Sequence, residues 1–126
     1  MKPAFFLLLF TLLIGCRNEA SIGPLEGLYG GTFQRDINEP AQVTITFTNG
    51  RYSGTVGKTS NLLVLPPVIG KGTFSTSGKT VSFTDETAYP ANTDLSAALQ
   101  GKYNAELRNG KLILQRDLDR YVLEKK

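Results

Sequence analysis

The sequence predicts an all-β protein in which an eight-stranded antiparallel up-and-down barrel follows a cleaved signal peptide. Segments rich in Thr, Tyr, Phe and Val alternate with Gly and Asn turn signals at short intervals, a composition typical of strands and hairpins. The apolar residues of each segment fall on one face. Eight short strands with one apolar face favour a closed barrel, because closure leaves no unpaired edge; an open sandwich is the alternative.

Residues 1–15 are predicted to form a cleaved signal peptide. Lys2 precedes a nearly uninterrupted apolar stretch, residues 5–14, which is shorter than the roughly 20 residues that a bilayer-spanning helix needs. The stretch ends in Leu13-Ile14-Gly15-Cys16, which resembles the signal of bacterial lipoproteins. In that family the peptide before the cysteine is removed, the thiol carries a diacylglycerol, and the new amino terminus is commonly acylated. The resemblance therefore implies lipidation of Cys16.

The same resemblance implies a lipid-anchored protein of the bacterial cell envelope. Two or three acyl chains anchor a protein stably, whereas one chain gives only marginal membrane binding. Arg17 follows the cysteine, where some inner-membrane lipoproteins have a retaining Asp, so the outer membrane is favoured and the membrane face stays open. Residues 16–24 then form the lipidated Cys and a polar tether, and residues 25–126 form the barrel domain.

Hairpin turns predict the strands and their register. Asn49-Gly50 is the strongest two-residue turn signal, and it places Phe47 opposite Tyr52 and Val43 opposite Val56 on one apolar face. The predicted strands are 27–35, 41–48, 51–57, 69–76, 79–84, 99–108, 111–117 and 120–124, with at most one helical turn at 94–99.

The remaining turns are assigned in the same way, because each assignment keeps the apolar residues on one face. They are Ser77-Gly78, Asn109-Gly110 and Leu118-Asp119. The opposed residues that follow from them are Phe74 with Val81, Leu107 with Leu112, Tyr103 with Arg116, and Arg116 with Tyr121.

The predicted barrel resembles the calycin or lipocalin-like barrels. Its first strand begins Leu25-Glu26-Gly27-Leu28-Tyr29, which resembles the Gly-x-Trp element of those proteins with Tyr29 in the place of Trp. Arg116, between Tyr103 and Tyr121 on the apolar face, is similar to the Arg that packs over that ring near the closed end. The resemblance implies four candidate barrel-closing residues, Tyr29, Tyr103, Arg116 and Tyr121.

Four segments also resemble a group of small, functionally uncharacterised bacterial lipoproteins with a lipocalin-like domain. They are 25–33, 43–54, 99–103 and 121–126, and the likeness spans nearly the whole mature chain. That group has no catalytic residues, so the resemblance implies a fold and no reaction.

The loop at residues 57–70 is the most unusual stretch, because it combines many aliphatic side chains with the adjacent Pro66 and Pro67. Three interpretations stay open: the side chains plug the barrel mouth, form an exposed patch for a partner or lipid, or line an apolar ligand cavity. The candidate ligand-binding residues are Leu62, Leu63, Leu65, Val68 and Tyr89.

The composition argues against catalysis. The sequence has no His and one Cys, which excludes a His-dependent triad, a His-ligated zinc site and an intrachain disulfide. The adjacent Asp85 and Glu86 would point apart on a strand, and the Asp-x-Asx spacing of a calcium loop is missing. We interpret them as solvated loop acids and expect no enzyme, no metal and no cofactor.

The charge pattern argues against a nucleic-acid partner, because the net charge is only +3 and no long basic run occurs. Many Lys and Arg residues instead lie beside Gly or Asn at the predicted hairpin ends. There they keep the surface soluble or approach anionic lipid headgroups. They are Arg51, Lys58, Lys71, Lys79, Lys102, Arg108, Lys111, Lys125 and Lys126.

We therefore expect a monomeric, lipid-anchored envelope protein whose barrel is a non-catalytic module that binds a small apolar ligand. The alternative is a structural or inhibitory lipoprotein that acts on another envelope protein through its loops. The barrel interior distinguishes the two. An interior filled by Phe33, Phe47, Phe74 and Phe83 favours the loops, and a hollow interior favours ligand carriage.

Overall fold

The computed structural model describes residues 21–57 and 67–126, which form eight β-strands and one short 3-10 helix, Leu95–Ala97. The predicted signal peptide, Cys16 and the loop residues Leu62, Leu63 and Leu65 lie outside the described residues. The strands are β1 (Gly27–Arg35), β2 (Ala41–Thr48), β3 (Arg51–Val56), β4 (Lys71–Ser77), β5 (Thr80–Asp85), β6 (Gly101–Arg108), β7 (Lys111–Arg116) and β8 (Asp119–Lys125).

The eight strands close into a barrel. Each strand pairs antiparallel with the next one along the chain, and β8 pairs with β1. The predicted all-β class and the up-and-down order of eight strands are confirmed. Closure gives both outer strands a neighbour, so neither presents a row of unpaired backbone N–H and C=O groups.

The first and third hairpins have the predicted register. Phe47 pairs with Tyr52 across Asn49-Gly50, and the hairpin across Asn109-Gly110 is likewise as predicted. In both turns the Asn and the Gly have a positive φ, as a type I′ turn requires. Local turn chemistry therefore sets these two registers.

The predicted turn of the second hairpin is wrong by one position. The turn is Gly78-Lys79, so Phe74 pairs with Phe83 and not with Val81. Gly78 takes the first central position with a φ of 58°, where a type II′ turn requires Gly.

The predicted turn between β7 and β8 is also wrong by one position. It is Asp117-Leu118, so Arg116 pairs with Asp119 and not with Tyr121. Asp117 adopts a φ of 50°, which Asp tolerates because its short polar side chain can bond to nearby backbone. The shift places Asp119 in β8, where only 5% of its surface is exposed.

Aromatic side chains occupy the barrel interior. Their rings form a continuous series of contacts with centroid distances between 4.9 and 6.4 Å, most of them edge-to-face. The series runs Tyr29, Phe47, Phe83, Tyr103, Tyr121 and Phe33, with Phe74 packed on Phe47 and Tyr52 on Phe83. This part of the interior is therefore filled with rings, as one of the two sequence-based alternatives expects.

The segment before β1 belongs to the packed domain. Ile22 and Leu25 are 5% and 4% exposed and form part of the hydrophobic core. The Ile22 N–H donates to the Gly78 carbonyl oxygen at 3.2 Å. The sequence predicts that Ile22 belongs to a polar tether. In the structure Ile22 is buried, because its apolar side chain packs in the hydrophobic core.

The two ends of the barrel differ. At the end that we call the turn end, the strands are joined by the short turns 49–50, 78–79 and 109–110, and residues 21–26 pack beside them. At the opposite end, the loop end, the described connections are 36–40, 86–100 and the turn 117–118, together with Gly57 and residues 67–70.

Gly31→Ala is expected to lower the free energy of unfolding by about 3 kcal/mol, at the upper end of what overpacking costs. Gly31 lies at the seam between β1 and β8, where an added Cβ would overlap the carbonyl oxygen of Val122. The matched control is Gly78→Ala, which meets no atom within 4 Å and costs about 1 kcal/mol through its positive φ. Urea unfolding measures both variants, and equal losses would contradict the close approach of the strands at Gly31.

Candidate functional site

The structure brings three of the four candidate barrel-closing residues together at the loop end. The guanidinium carbon of Arg116 lies 4.7 Å from the centroid of the Tyr103 ring, and the Tyr103 and Tyr121 rings are 6.0 Å apart. Tyr29 lies in the other half of the barrel, where it pairs with Lys125, near the end of β8. Arg116 is paired with the first residue of β8, so its guanidinium stacks on β6 and not on the first strand.

Arg116 also holds the chain segment that leads into β6. Its Nη2 donates to the Ala98 carbonyl oxygen at 3.2 Å, and its Nη1 donates to the Gln100 carbonyl oxygen. A guanidinium has five N–H donors in a rigid plane, so one side chain can bond two carbonyls while its face stacks on a ring. Arg116 thereby fixes the path of the chain across the barrel mouth.

A buried carboxylate lies beside Arg116, and the sequence analysis did not single it out. Asp119 accepts two hydrogen bonds from Arg35, from Nε to Oδ1 at 2.6 Å and from Nη2 to Oδ2 at 2.9 Å. The Nη2 of Arg116 lies 3.9 Å from the same Oδ2. A carboxylate removed from water needs such bidentate, charge-assisted bonds. A turn at Asp117-Leu118, if predicted from the sequence, would have placed Asp119 on the inner face opposite Arg116.

The ion pair extends to the 3-10 helix of the long loop. Arg35 Nη2 also donates to the Ser96 carbonyl oxygen at 2.9 Å. Asp94 caps the helix, because its Oδ1 accepts from the Ser96 N–H at 2.9 Å. Hydrogen bonding with Ser96 lowers the pKa of Asp94. The hydrogen bond to Asp119 in turn raises the pKa of Arg35. One network thus connects β1, β8 and the loop at 86–100.

Leu99 fills the barrel mouth, a role that the sequence analysis offered only to the loop at 57–70. Its side chain is fully buried, and its carbonyl oxygen accepts from the Tyr52 hydroxyl at 3.1 Å. The Leu99 N–H donates to the Val68 carbonyl oxygen at 2.9 Å. Val68, a predicted ligand-binding residue, also forms a parallel bridge with Ala98. The backbone of Val68 therefore holds the segment that closes the mouth.

Tyr89, another predicted ligand-binding residue, supports the loop after β5. Its hydroxyl donates to Asp85 Oδ2 at 2.5 Å, while Asp85 Oδ1 accepts from the Thr87 N–H at 2.9 Å. Burial, followed by the hydrogen bond to Asp85, raises the pKa of Tyr89. Asp85 is therefore a turn-forming residue and not the solvated acid that the sequence predicted. Glu86 is exposed, and its Oε2 lies 3.4 Å from Nη2 of Arg51.

Three exposed apolar side chains, which we call the rim patch, lie at the loop end. Ile37, Leu95 and Leu118 are 90%, 51% and 60% exposed. The Asp36 N–H donates to the Leu118 carbonyl oxygen at 2.9 Å, which holds two of the three connections side by side. The third is held by the bond of Arg35 to Ser96, beside Leu95, and a shallow depression lies between Ser96 and Leu118.

The hydroxyl of Tyr121 is buried and, among the described residues, has no hydrogen-bond partner. Desolvation raises the pKa of Tyr121, and it raises the pKa of Tyr103 to about 12. Tyr103 differs because its hydroxyl is within 3.5 Å of the Ala98 carbonyl oxygen. The two neighbouring tyrosines therefore contribute differently to stability.

The part of the chain that the structure describes, 21–57 and 67–126, has no group of three or more His, Cys, Asp or Glu side chains placed to hold a metal ion. Within the same residues, no helix is long and apolar enough to cross a membrane. Comparison of the chain with protein-family models, with curated proteins and with solved structures finds no match.

Asp119→Asn is expected to lower the free energy of unfolding by about 3 kcal/mol, because breaking a buried ion pair leaves the other charge uncompensated. The matched control is Glu106→Gln, which removes the exposed pair with Arg108 at 2.9 Å and is expected to cost about 0.5 kcal/mol or less. Thermal and urea unfolding of both variants test the difference. A loss at Asp119 no larger than at Glu106 would exclude a structural role for the buried pair.

Tyr121→Phe is expected to leave the free energy of unfolding unchanged or raise it by about 1 kcal/mol, because it removes an unsatisfied buried hydroxyl. Tyr52→Phe is expected to lower it by about 1 kcal/mol, because it leaves the Leu99 carbonyl oxygen without its donor. The midpoints of urea unfolding compare the two variants. Destabilisation by both to the same extent would show that the Tyr121 hydroxyl has a partner.

Proposed function

We propose that this protein is a lipid-anchored protein of the bacterial cell envelope whose barrel binds another envelope protein through its loop end. Anchoring through Cys16 follows from the lipoprotein-like signal, and Arg17 favours the outer membrane. The barrel acts as a non-catalytic module. The single observation that carries the choice of binding surface is the rim patch, held on a buried ion-pair network at the loop end.

The packed interior favours the loops over the interior as the binding surface. A carried apolar ligand would need space where the rings of Phe47, Phe83 and Tyr103 now contact one another. An eight-stranded barrel is just wide enough either to be filled by its own side chains or to hold one small ligand. With Leu99 buried in the mouth, the exposed apolar side chains that the structure describes at the loop end are those of the rim patch.

The rim patch has the properties of a small protein-binding surface. Protein interfaces place apolar anchors at the centre of a polar rim, and each residue of the patch directly follows an aspartate, Asp36, Asp94 or Asp117. Its three connections are tied to the barrel by hydrogen bonds, so binding requires little ordering of the loops. The residues are also far from the turn end, where residues 21–26 enter the domain.

The carboxylates near the patch support a non-catalytic role. Asp119 is held by Arg35, and Asp85 is held by Tyr89 and Thr87. A general base must reach a substrate proton, and these oxygen atoms already accept bonds within the fold.

Ile37→Ser/Leu118→Ser is expected to reduce partner binding at least tenfold without changing the free energy of unfolding by more than about 0.5 kcal/mol, because both side chains are exposed. The measurement is photo-crosslinking in the producing bacterium, with the photoreactive residue at Leu95 and the adduct identified by mass. The matched control is Leu28→Ser/Leu107→Ser, which removes two leucines that are 45% and 53% exposed at the turn end.

One protein adduct of constant mass, formed by the parent and by the control but weakened in the rim-patch variant, supports the proposal. An equal yield from all three proteins, or no adduct at Leu95 while one forms at Asn104 on the barrel wall, would overturn it. The first result would show that the patch does not bind, and the second that the partner binds elsewhere.

A further inference from the structure

We propose that the turn end of the barrel is a second interaction surface, which docks on an anionic phospholipid bilayer beside the lipid anchor. This rests on the proposed anchoring at Cys16, because the anchor supplies the local concentration of membrane. It concerns the end of the barrel opposite to the rim patch.

The first observation is the position at which the core begins. Ile22 is buried and bonded to Gly78, so the domain starts at the turn end. Five residues lie between Cys16 and Ile22, and the six Cα-to-Cα steps that join them span at most about 20 Å in any conformation. A lipid on Cys16 therefore keeps the turn end within about 20 Å of the headgroups.

The second observation is the sign of the charge at this end. Among the described residues, the turns and the strand ends beside them carry the cations Arg51, Lys79, Arg108, Lys111, Lys125 and Lys126. The carboxylates there are Glu26, Glu106 and Glu124, and Glu86 reaches Arg51 from the connection after β5, with its Oε2 3.4 Å from Nη2 of Arg51. Each Lys or Arg near an anionic membrane surface strengthens binding by about fivefold.

Two of these carboxylates are engaged within the domain, and the pairing of Glu106 also neutralises Arg108. Glu26 Oε2 accepts from the Asn49 N–H at 3.3 Å, and Glu106 Oε1 accepts from Arg108 at 2.9 Å. Lys125 and Lys126 lie at the end of β8 and directly after it, beside β1, and Lys111 lies on β7, opposite Glu124 of β8. The turn end therefore presents a group of lysines on one side of the barrel.

The third observation is that exposed apolar side chains accompany the cations. Leu107 is 53% exposed next to the turn 109–110, and Leu28 is 45% exposed where its carbonyl oxygen accepts from the Lys126 N–H at 2.9 Å. Apolar side chains that enter the headgroup region, flanked by cations that contact lipid phosphates, are typical of interfacial membrane binding. At the loop end, by contrast, an aspartate directly precedes each exposed apolar residue of the rim patch, namely Asp36, Asp94 and Asp117.

The test uses the full chain, expressed in a bacterial host and purified from the envelope. Intact mass first shows whether Cys16 carries lipid. The protein is then reconstituted into vesicles of phosphatidylcholine alone or with phosphatidylglycerol, and amide hydrogen exchange is measured at turns 78–79, 109–110 and 117–118. The variant is Lys111→Gln/Lys125→Gln/Lys126→Gln, and the charge-matched control is Lys71→Gln/Lys102→Gln/Arg120→Gln.

We expect exchange at 78–79 and 109–110 to slow at least tenfold on anionic vesicles only, with no change at 117–118. High salt and the first triple variant should abolish this protection, because three lost charges weaken docking by about one hundredfold. The control variant should keep it. Equal exchange on both vesicle types, or equal effects of the two triple variants, would overturn the proposal.

Failure of anchoring gives a different result from failure of docking. If the intact mass shows no acyl chains on Cys16, the lipid anchor is excluded, and sedimentation of the same protein with the two vesicle types measures docking alone. Preferential sedimentation with phosphatidylglycerol that is lost in the first triple variant supports the surface. Equal sedimentation with both vesicle types rejects it. Neither result bears on crosslinking at the rim patch.

Discussion

The ion pair between Arg35 and Asp119 is the interaction on which the structure of the loop end depends. The carboxylate of Asp119 is nearly removed from water, so it needs the two hydrogen bonds from Arg35, and Arg35 in turn reaches the 3-10 helix at Ser96. Arg116 adds its charge to the same carboxylate, stacks on Tyr103 and bonds the chain that carries Leu99 into the mouth. Leu99 in the barrel mouth, the loop at 86–100 and the rim patch therefore depend on the same ion pair.

This ion pair explains how a small barrel can present loops with a defined shape. Loops of this length carry few apolar contacts of their own, and their order depends on bonds to the strands. Here the bonds are charge-assisted and partly shielded from water, so they are stronger than hydrogen bonds between exposed neutral groups. The exposed apolar side chains of the rim patch are thus held on a rigid base, and the turn end is fixed separately by Ile22 and short turns.

The sequence was sufficient for the strands and for half of the hairpin registers, because Asn-Gly turns and alternating apolar residues are local signals. It failed at Gly78 and Asp117, where two adjacent turn placements both kept the apolar residues on one face. That one-position error concealed Asp119, since its role depends on Arg35 more than eighty residues away in the chain. The burial of Ile22 and Leu99 was concealed for the same reason, because both pack against residues brought close only by barrel closure.

The aromatic interior also determines how the protein can be observed. The sequence has five tyrosines and no tryptophan, so its near-ultraviolet absorbance and intrinsic fluorescence come from tyrosine and phenylalanine alone. Four of the five tyrosines, Tyr29, Tyr52, Tyr103 and Tyr121, belong to the ring series, and the fifth supports a loop through Asp85. The tyrosine signal of the unlabelled protein therefore reports the packing of the barrel interior and one loop contact.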